Sequence, residues 1–392
     1  RATTLGGQEM FVPLAHPPGD AQADFGEALV VIAGVECTAH YLVVDLPHSD
    51  EAFVKAFPAE TTEAFCDGHN AAFSYFGGVP RGIVYDNTKL AVARILGDGT
   101  RQRTRVFSEL QSHYLFDARF GRPGKGNDKG KVEGLVGYAR RNFFVPIPRF
   151  PSWEALNVDV ARQCRARRGQ RLRRHTETIG ERCTRDRDAL LPLPPVPYEA
   201  CDTRTTRVTS LSLVRYRCND YSVPTAYGHR AVVVKGYVDT VVIACGSTEI
   251  ARHPRSYDRE MLIFEPRHYL ALLERKTGAF DQAAPLAGWD LPAVFLRLRR
   301  RLETRLGKAG TREYVQVLRL LEDFQLDHVS GAVGDALALG VIGVDAVKHL
   351  LLCRLDHRPP RLDLAQDPHL PAARVAMTAA TDYLALLGAG AE

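Results

Sequence analysis

The chain has 392 residues, 45% of them hydrophobic and 25% charged, a length that predicts two or three domains rather than one core. Its 51 basic and 46 acidic residues leave a net charge of +5; no apolar run approaches the ~18–20 residues of a membrane span, and no signal peptide is legible. Eight cysteines form no C-x-x-C pair, which argues against a structural zinc site and fits reduced thiols in a cytoplasm.

Residues 20–47 read as strands. Ala21–Glu27 is an apolar stretch interrupted by Asp24, and Ala28–Ile32 and Ala39–Leu46 are further short runs. Their short links predict an antiparallel meander. A helix follows, capped by Thr61 or Thr62 and ended by Gly77–Gly78, with His69 and Phe73 among its apolar positions. Gly82–Asp86 reads as a buried strand ending in an acid, residues 104–114 as a helix, Tyr114–Phe120 as a strand, and Gly121–Lys125 as a Gly- and Lys-rich loop. From Asn127 to Phe144 an apolar stripe at helical spacing puts Lys129 and Glu133 on an adjoining face. This order predicts a mixed-sheet α/β domain over residues 1–150.

Residues 151–200 read as a basic helical segment ending in the proline-rich linker Leu190–Pro197. Residues 201–265 hold short β-rich runs with turn-like links, which predicts a small β-barrel. Residues 266–392 read as helical, with breaks at Pro292, Gly307, Gly331, Gly340 and Pro359–Pro360. The chain opens with Arg1 rather than Met, which suggests a fragment of something longer.

Three acids stand out by placement. Asp24 is mid-strand, where an unpaired carboxylate is costly; Asp86 ends an apolar strand; Glu133 sits early on a helix with an apolar face. Carboxylates that converge repel one another, and Mg²⁺ or Mn²⁺ resolves the repulsion. Two such ions about 3.5–4 Å apart stabilise the attacking and leaving oxygens of phosphoryl transfer. Spacing alone leaves the plain alternative open. With 46 acidic residues in the chain, spacing alone more readily fits a strand-edge or turn carboxylate, an N-cap or Asx-turn residue and a solvated helix residue.

The segment Ala21-Gln-Ala-Asp-Phe-Gly-Glu27 resembles the first acidic motif of the IstA-type insertion-sequence transposases. Tyr85-Asp-Asn-Thr-Lys89 resembles their second and Gly126-Asn-Asp-Lys-Gly-Lys-Val-Glu133 their third, with 61 residues between Asp24 and Asp86 and fewer than fifty between Asp86 and Glu133. His175-Thr-Glu-Thr-Ile-Gly-Glu-Arg182, Asn219-Asp-Tyr-Ser-Val-Pro224 and Tyr237-Val-Asp239 extend the likeness over nearly the whole chain. The resemblance implies a ribonuclease-H-like DDE transposase that cleaves DNA ends and transfers strands. It implies two Mg²⁺ or Mn²⁺ ions on Asp24, Asp86 and Glu133, a homo-oligomer assembled on transposon-end and target DNA, and an AAA+ ATPase helper. It implies a bacterial, nucleoid-associated protein. Family members normally carry an N-terminal helix-turn-helix region, which this chain does not show. The competing reading is a catalytically idle DNA-binding or assembly protein derived from a truncated transposase.

Around the acids, Asn87, Lys89, Lys125, Asn127 and Lys129 are expected to meet metal or DNA. Lys129 fits a phosphate contact or a plain i,i+4 ion pair with Glu133 equally well. Ten arginines fall between Arg162 and Arg187, and Arg165, Arg167, Arg168, Arg171, Arg173 and Arg174 crowd ten positions. That density favours a phosphate backbone as the partner; the alternative is a solvated helix paired with Glu177 and Glu181. A second run, Arg297, Arg299, Arg300, Arg301 and Arg305, shares an amphipathic helix with Leu298 and Leu302 and is open to DNA, a partner surface or solvent. No Walker loop occurs, so the chain itself is not expected to hydrolyse ATP.

Overall fold

The computed structural model describes residues 16–85, 92–95, 101–120, 130–172 and 175–356. The chain divides into two compact units, residues 1–268 and 269–392.

The first unit opens with an antiparallel meander of β1 (Asp20–Ile32), β2 (Val35–Leu46) and β3 (Glu51–Phe57), followed by α1 (Thr62–Phe76) and β4 (Gly82–Tyr85). A small hairpin, β5 (Val92–Ile95) with β6 (Arg101–Arg103), precedes α2 (Arg105–Tyr114), β7 (Asp117–Phe120), α3 (Gly130–Phe143) and β8 (Arg149–Phe150). The main sheet runs β3-β2-β1-β4-β7, with β4 parallel to β1 and β7 parallel to β4. The short β8 pairs with the far end of β1 at Val31 and Ile32. The two predicted runs Ala21–Glu27 and Ala28–Ile32 are therefore one strand. The third strand of the meander is Glu51–Phe57, which its charges hide: Glu51 and Lys55 are held by Arg168 and Asp67.

Strand alternation gives the sheet two faces. Ala21, Ala23, Leu42, Val44 and Ile83 pack with Phe65, Phe73 and Phe107 of α1 and α2. Val30, Tyr41, Val43 and Val54 pack on the opposite face with Leu135 and Ala139 of α3. Leu156 and Val160 of α4 (Trp153–Arg167) complete that second core. The helix ends follow local chemistry. Thr61 and Thr104 cap α1 and α2 by accepting from Ala64 and Phe107, and Gly77 ends α1 at φ 81°. The basic segment is two helices, because Thr178 and Glu181 form a capping box that starts α5 (Ile179–Ala189).

The barrel expected over residues 201–265 is not formed. Among the described residues there are two open sheets. One runs β14 (Thr248–Pro254), β13 (Thr240–Cys245), β12 (Ala231–Gly236), β9 (Asp202–Arg207); the other runs β10 (Leu213–Tyr216), β11 (Asn219–Ser222), β15 (Leu262–Ile263). They share a core of Val214, Tyr216, Tyr221, Val232, Val234 and Ile243. The strands of the second sheet have four, four and two residues. That is too little ladder to join both ends of the first, and turn residues in sequence do not reveal which strand pairs with which.

After α6 (Arg267–Arg275), the second unit packs α7 (Ala293–Leu306), α8 (Lys308–Arg319), α9 (Leu326–Leu339) and α10 (Val344–Leu355). Phe295, Leu298, Leu302, Val315, Val329, Val333 and Val347 are fully buried there. Gly307 and Gly340 end α7 and α9, as the sequence suggests, but Gly331 lies inside α9. An added Cβ at Gly331 would meet the Arg354 guanidinium at 2.7 Å, so it marks close side-chain approach rather than a break.

Candidate catalytic centre and nucleic-acid interface

Asp24 lies on β1 opposite Val43 of β2, half-buried, with Oδ1 accepting from the Phe25 amide at 3.0 Å. On the other side of β1, Ala23 is in register with Tyr85, the last residue of β4. Beyond that pair β4 stops, and no described strand joins this edge of β1 until β8 reaches Val31. Asp24 is thus the first residue of β1 past the end of β4.

The helix carrying Glu133 is seated on the same strand. Gly26 shares the Asp24 face by alternation, and a Cβ there would fall 2.5 Å from the Tyr41 ring and 2.6 Å from Val136. The Tyr41 hydroxyl donates to the Val136 carbonyl at 2.9 Å. Glu133 lies in the first turn of α3, about one turn before Val136. Burial raises the Tyr41 pKa; the Arg140 guanidinium opposes the rise and the Asp24 charge adds to it. Tyr41 is therefore a neutral donor that ties β2 to α3.

Sequence reading missed Glu60. Its carboxyl is raised first by desolvation, opposed by His40, and raised further by Glu27 and Asp24. Glu60 and Glu27 thus lie within electrostatic reach of Asp24's neighbourhood, as do His40 and, through Tyr41, Arg140.

The strand leading to Asp86 is anchored from beneath. Tyr85 is fully buried among Phe65, Phe107 and Phe120 and hydrogen-bonded to His69 of α1. His69 is a satisfied packing residue. Burial holds its pKa down to about 4.

Of the other expected site residues, Asp86, Asn87, Lys89, Lys125, Asn127, Lys129, Arg173 and Arg174 lie outside the described residues, as does the Glu133 side chain. Among the described residues no group of three His, Cys, Asp or Glu is placed to hold a metal.

The arginine run divides. Arg165 and Arg171 are exposed. Arg167 is only 7% exposed, donates to the Asp50 carbonyl and lies 5.0 Å over the Tyr138 ring. Arg168 bonds Glu51 at 2.8 Å and stacks 4.5 Å over Tyr75. Arg182 pairs with Asp50 at 3.0 Å. Arg167 and Arg168 are thus turned into the fold, because α4 covers β3, the edge of the sheet. Asn157 completes that cover: its amide accepts from Ala56 N at 2.7 Å and donates to Ala56 O at 2.9 Å, as a neighbouring strand would. Charge density along the sequence could not separate the inward arginines from the outward ones.

A buried ion cluster joins α1 to residues 202–265. Glu63, with its side chain fully buried, receives Arg217 at 3.0 Å and Arg255 at 2.5 Å. Arg255 is itself 3% exposed and stacks 4.4 Å over Tyr257.

Residues 193–265, the two open sheets and the segment before them, match the family described as Mu transposase, C-terminal domain. Over 371 residues the chain is 36% identical to a transposase of Aminobacter aminovorans, covering 92% of this chain and 72% of that protein. It is 35% identical over 366 residues to the transposase for insertion sequences IS1326/IS1353 of Pseudomonas aeruginosa, covering 90% of this chain and 70% of that protein. Similarity to a chain of the simian T-cell lymphotropic virus intasome in complex with PP2A regulatory subunit B56 gamma is slight. It stands at 14% identity and TM-score 0.36 over 64% of this chain and 81% of that one. The sequence relatives define the class as a transposase. Within that class the chain belongs to the IstA-type transposases of IS21-like insertion sequences.

Proposed function

We propose that this transposase cuts DNA ends and joins them to target DNA at a site built from Asp24, Asp86 and Glu133. The observation that carries the reading is the register of β1 against β4: Ala23 faces Tyr85, and each is followed in sequence by one of the two aspartates. The seating of α3 on Gly26 supports a third acid on the same side of the sheet, since Glu133 lies in the first turn of that helix. The sheet order, an antiparallel meander with two parallel strands beside β1, supports a ribonuclease-H-like core.

The donor set suits a hard divalent cation such as Mg²⁺ or Mn²⁺: three carboxylates, with Asp24 half-exposed. When bound, two ions would stabilise the attacking and leaving oxygens of phosphoryl transfer. The chain's own residues supply position. Tyr85 and His69 hold the strand before Asp86, and Tyr41 holds α3 against β1. Exposed Arg165 and Arg171 are the described members of the basic run available to a phosphate backbone. Asn87, Lys89, Lys125, Asn127, Lys129, Arg173 and Arg174 belong to the same proposed interface. The reading includes a homo-oligomer assembled on DNA and an AAA+ ATPase helper. It places the protein in the bacterial cytoplasm; no described helix is long and apolar enough to cross a membrane.

A strand-transfer assay on pre-cut ends with Mg²⁺ tests the reading, comparing the native chain with Asp86→Ala, both shown to fold and bind DNA. Joining by the native chain and none by the variant is expected. Equal joining by both withdraws the site assignment.

A further inference from the structure

We infer that α7 of the C-terminal unit carries a second duplex-DNA contact, separate from the basic segment beside the catalytic domain. Like the reading above, it takes DNA as the substrate.

Five arginines lie on α7, and the structure separates one from the rest. Arg299 bonds Asp281 and Glu303, lies 4.9 Å over Phe280 and is part of the fold. Arg297, Arg300, Arg301 and Arg305 are exposed, and no carboxylate lies within ion-pair distance of them among the described residues. Their spacing of three, one and four residues puts them along one side of the helix. At 1.5 Å per residue the stripe from Arg297 to Arg305 is about 12 Å long. One strand of duplex DNA presents about three or four phosphates over that length.

The ground in front of the stripe is open and neutral. Two shallow clefts of about 400 and 330 Å³ flank it; their other walls are Gly334, Leu337, Ala338, Gly340 and Ile342, with no acidic side chain. A Cβ added at Gly334 would meet nothing within 4 Å. Arg301 donates to the Leu337 carbonyl at 3.1 Å, which fixes one guanidinium against α9 and leaves Arg297, Arg300 and Arg305 to reach outward. Four like charges on three turns repel one another, and a polyanion relieves that repulsion while releasing its counterions. A row of cations facing small apolar residues suits a sugar-phosphate backbone, whose contacts carry no sequence information.

The test uses the full chain. Affinity for two duplexes of unrelated sequence is measured by fluorescence anisotropy across a salt series. The native chain is compared with R300E/R305E, with the milder R300Q/R305Q, and with R275E/K348E, which makes the same charge change at exposed positions on other helices. Thermal melting checks that each folds. We expect both α7 variants to lower the salt slope by about two, since each lost phosphate contact removes about 0.9. Affinity should fall at least tenfold on both sequences, with the R275E/K348E slope unchanged. A slope equal to native in the α7 variants overturns the proposal. Equal losses in R275E/K348E overturn it in favour of net charge alone. A native chain that binds neither duplex defeats this inference and the DNA reading together, whereas native binding with an unchanged variant slope defeats the inference only.

Discussion

The Tyr85 hydroxyl donates to Nε2 of His69 at 3.0 Å, inside the core and one residue before Asp86. The direction of that bond follows from the other ring nitrogen. Nδ1 lies 2.7 Å from the Phe65 carbonyl, which only accepts, so Nδ1 carries the proton and Nε2 is the acceptor. Protonating Nε2 would turn it into a donor and leave the Tyr85 hydroxyl proton without its acceptor, while placing a charge in a fully buried site.

Stability should therefore depend on pH through His69. Burial lowers its pKa from 6.5 to about 4, so between those values the unfolded chain binds the proton and the folded chain does not. The contribution is fully present above pH 6.5 and falls as pH drops towards 4. The whole gap is worth about 3 kcal/mol. Chemical denaturation of the native chain and His69→Gln at pH 7 and pH 5 measures it. The variant should be less stable at pH 7 and should lose less on acidification. Parallel losses in the two proteins would remove His69 from the account.

The Glu63 cluster predicts a large and asymmetric mutational response. Glu63→Gln leaves Arg255, which is 3% exposed, without its counter-charge, and should cost about 3–5 kcal/mol. Replacing both partners, as Glu63→Leu with Arg255→Met, should cost less than the sum of the single changes, because Arg255 is then no longer stranded, while Arg217 keeps Asp202 at 3.5 Å. Urea unfolding of the four proteins gives the coupling; strict additivity would show that the pair does not act as a unit.

The edge of the sheet offers a third prediction. Asn157→Leu keeps the volume but removes both bonds to Ala56. The exposed peptide group of β3 should cost about 1–3 kcal/mol and leave an edge able to pair with another chain. Denaturation midpoints and light scattering against concentration check the two parts. An unchanged midpoint would mean that water replaces the Asn157 amide without loss.

These cases mark where sequence reading reached and where it stopped. Apolar periodicity and caps located α1, α2 and β4, because Thr61, Thr104 and Gly77 do local work that a linear pattern records. β3 escaped because Glu51 and Lys55 look like surface residues until Arg168 and Asp67 are brought to them from elsewhere in the chain. The barrel was overcalled for a related reason: strand lengths and turns are local, but sheet closure is a matter of partners. The arginine run shows the same limit, since Arg165 and Arg167 differ only in which way α4 turns them. At the candidate centre, Asp24 was legible as an acid in an apolar strand, while Glu60 was not, because its shift arises from Glu27, Asp24 and desolvation together.

The seat of α3, the helix that carries Glu133, rests on one small residue, and that makes the last prediction. Gly26 leaves β1 bare where Val136 and the Tyr41 ring descend on it, with 2.5–2.6 Å between a would-be Cβ and those side chains. Tyr41 is itself stacked on Phe144 at a ring separation of 4.7 Å, and Val136 packs against the same core. Gly26→Ala must therefore lift the first turns of α3 off the strand or push Tyr41 aside. Overpacking of this kind costs about 1–3 kcal/mol, which a stable domain survives. Catalysis should suffer more, because displacing a reacting group by about 1 Å can cost on the order of 100-fold. Strand transfer by Gly26→Ala should fall by about that factor while DNA affinity and the circular dichroism spectrum stay native. Adding Val136→Ala, which removes one of the two obstructing side chains, should return part of the activity. Full activity in Gly26→Ala alone would show that the seat of α3 on β1 does not govern the third carboxylate.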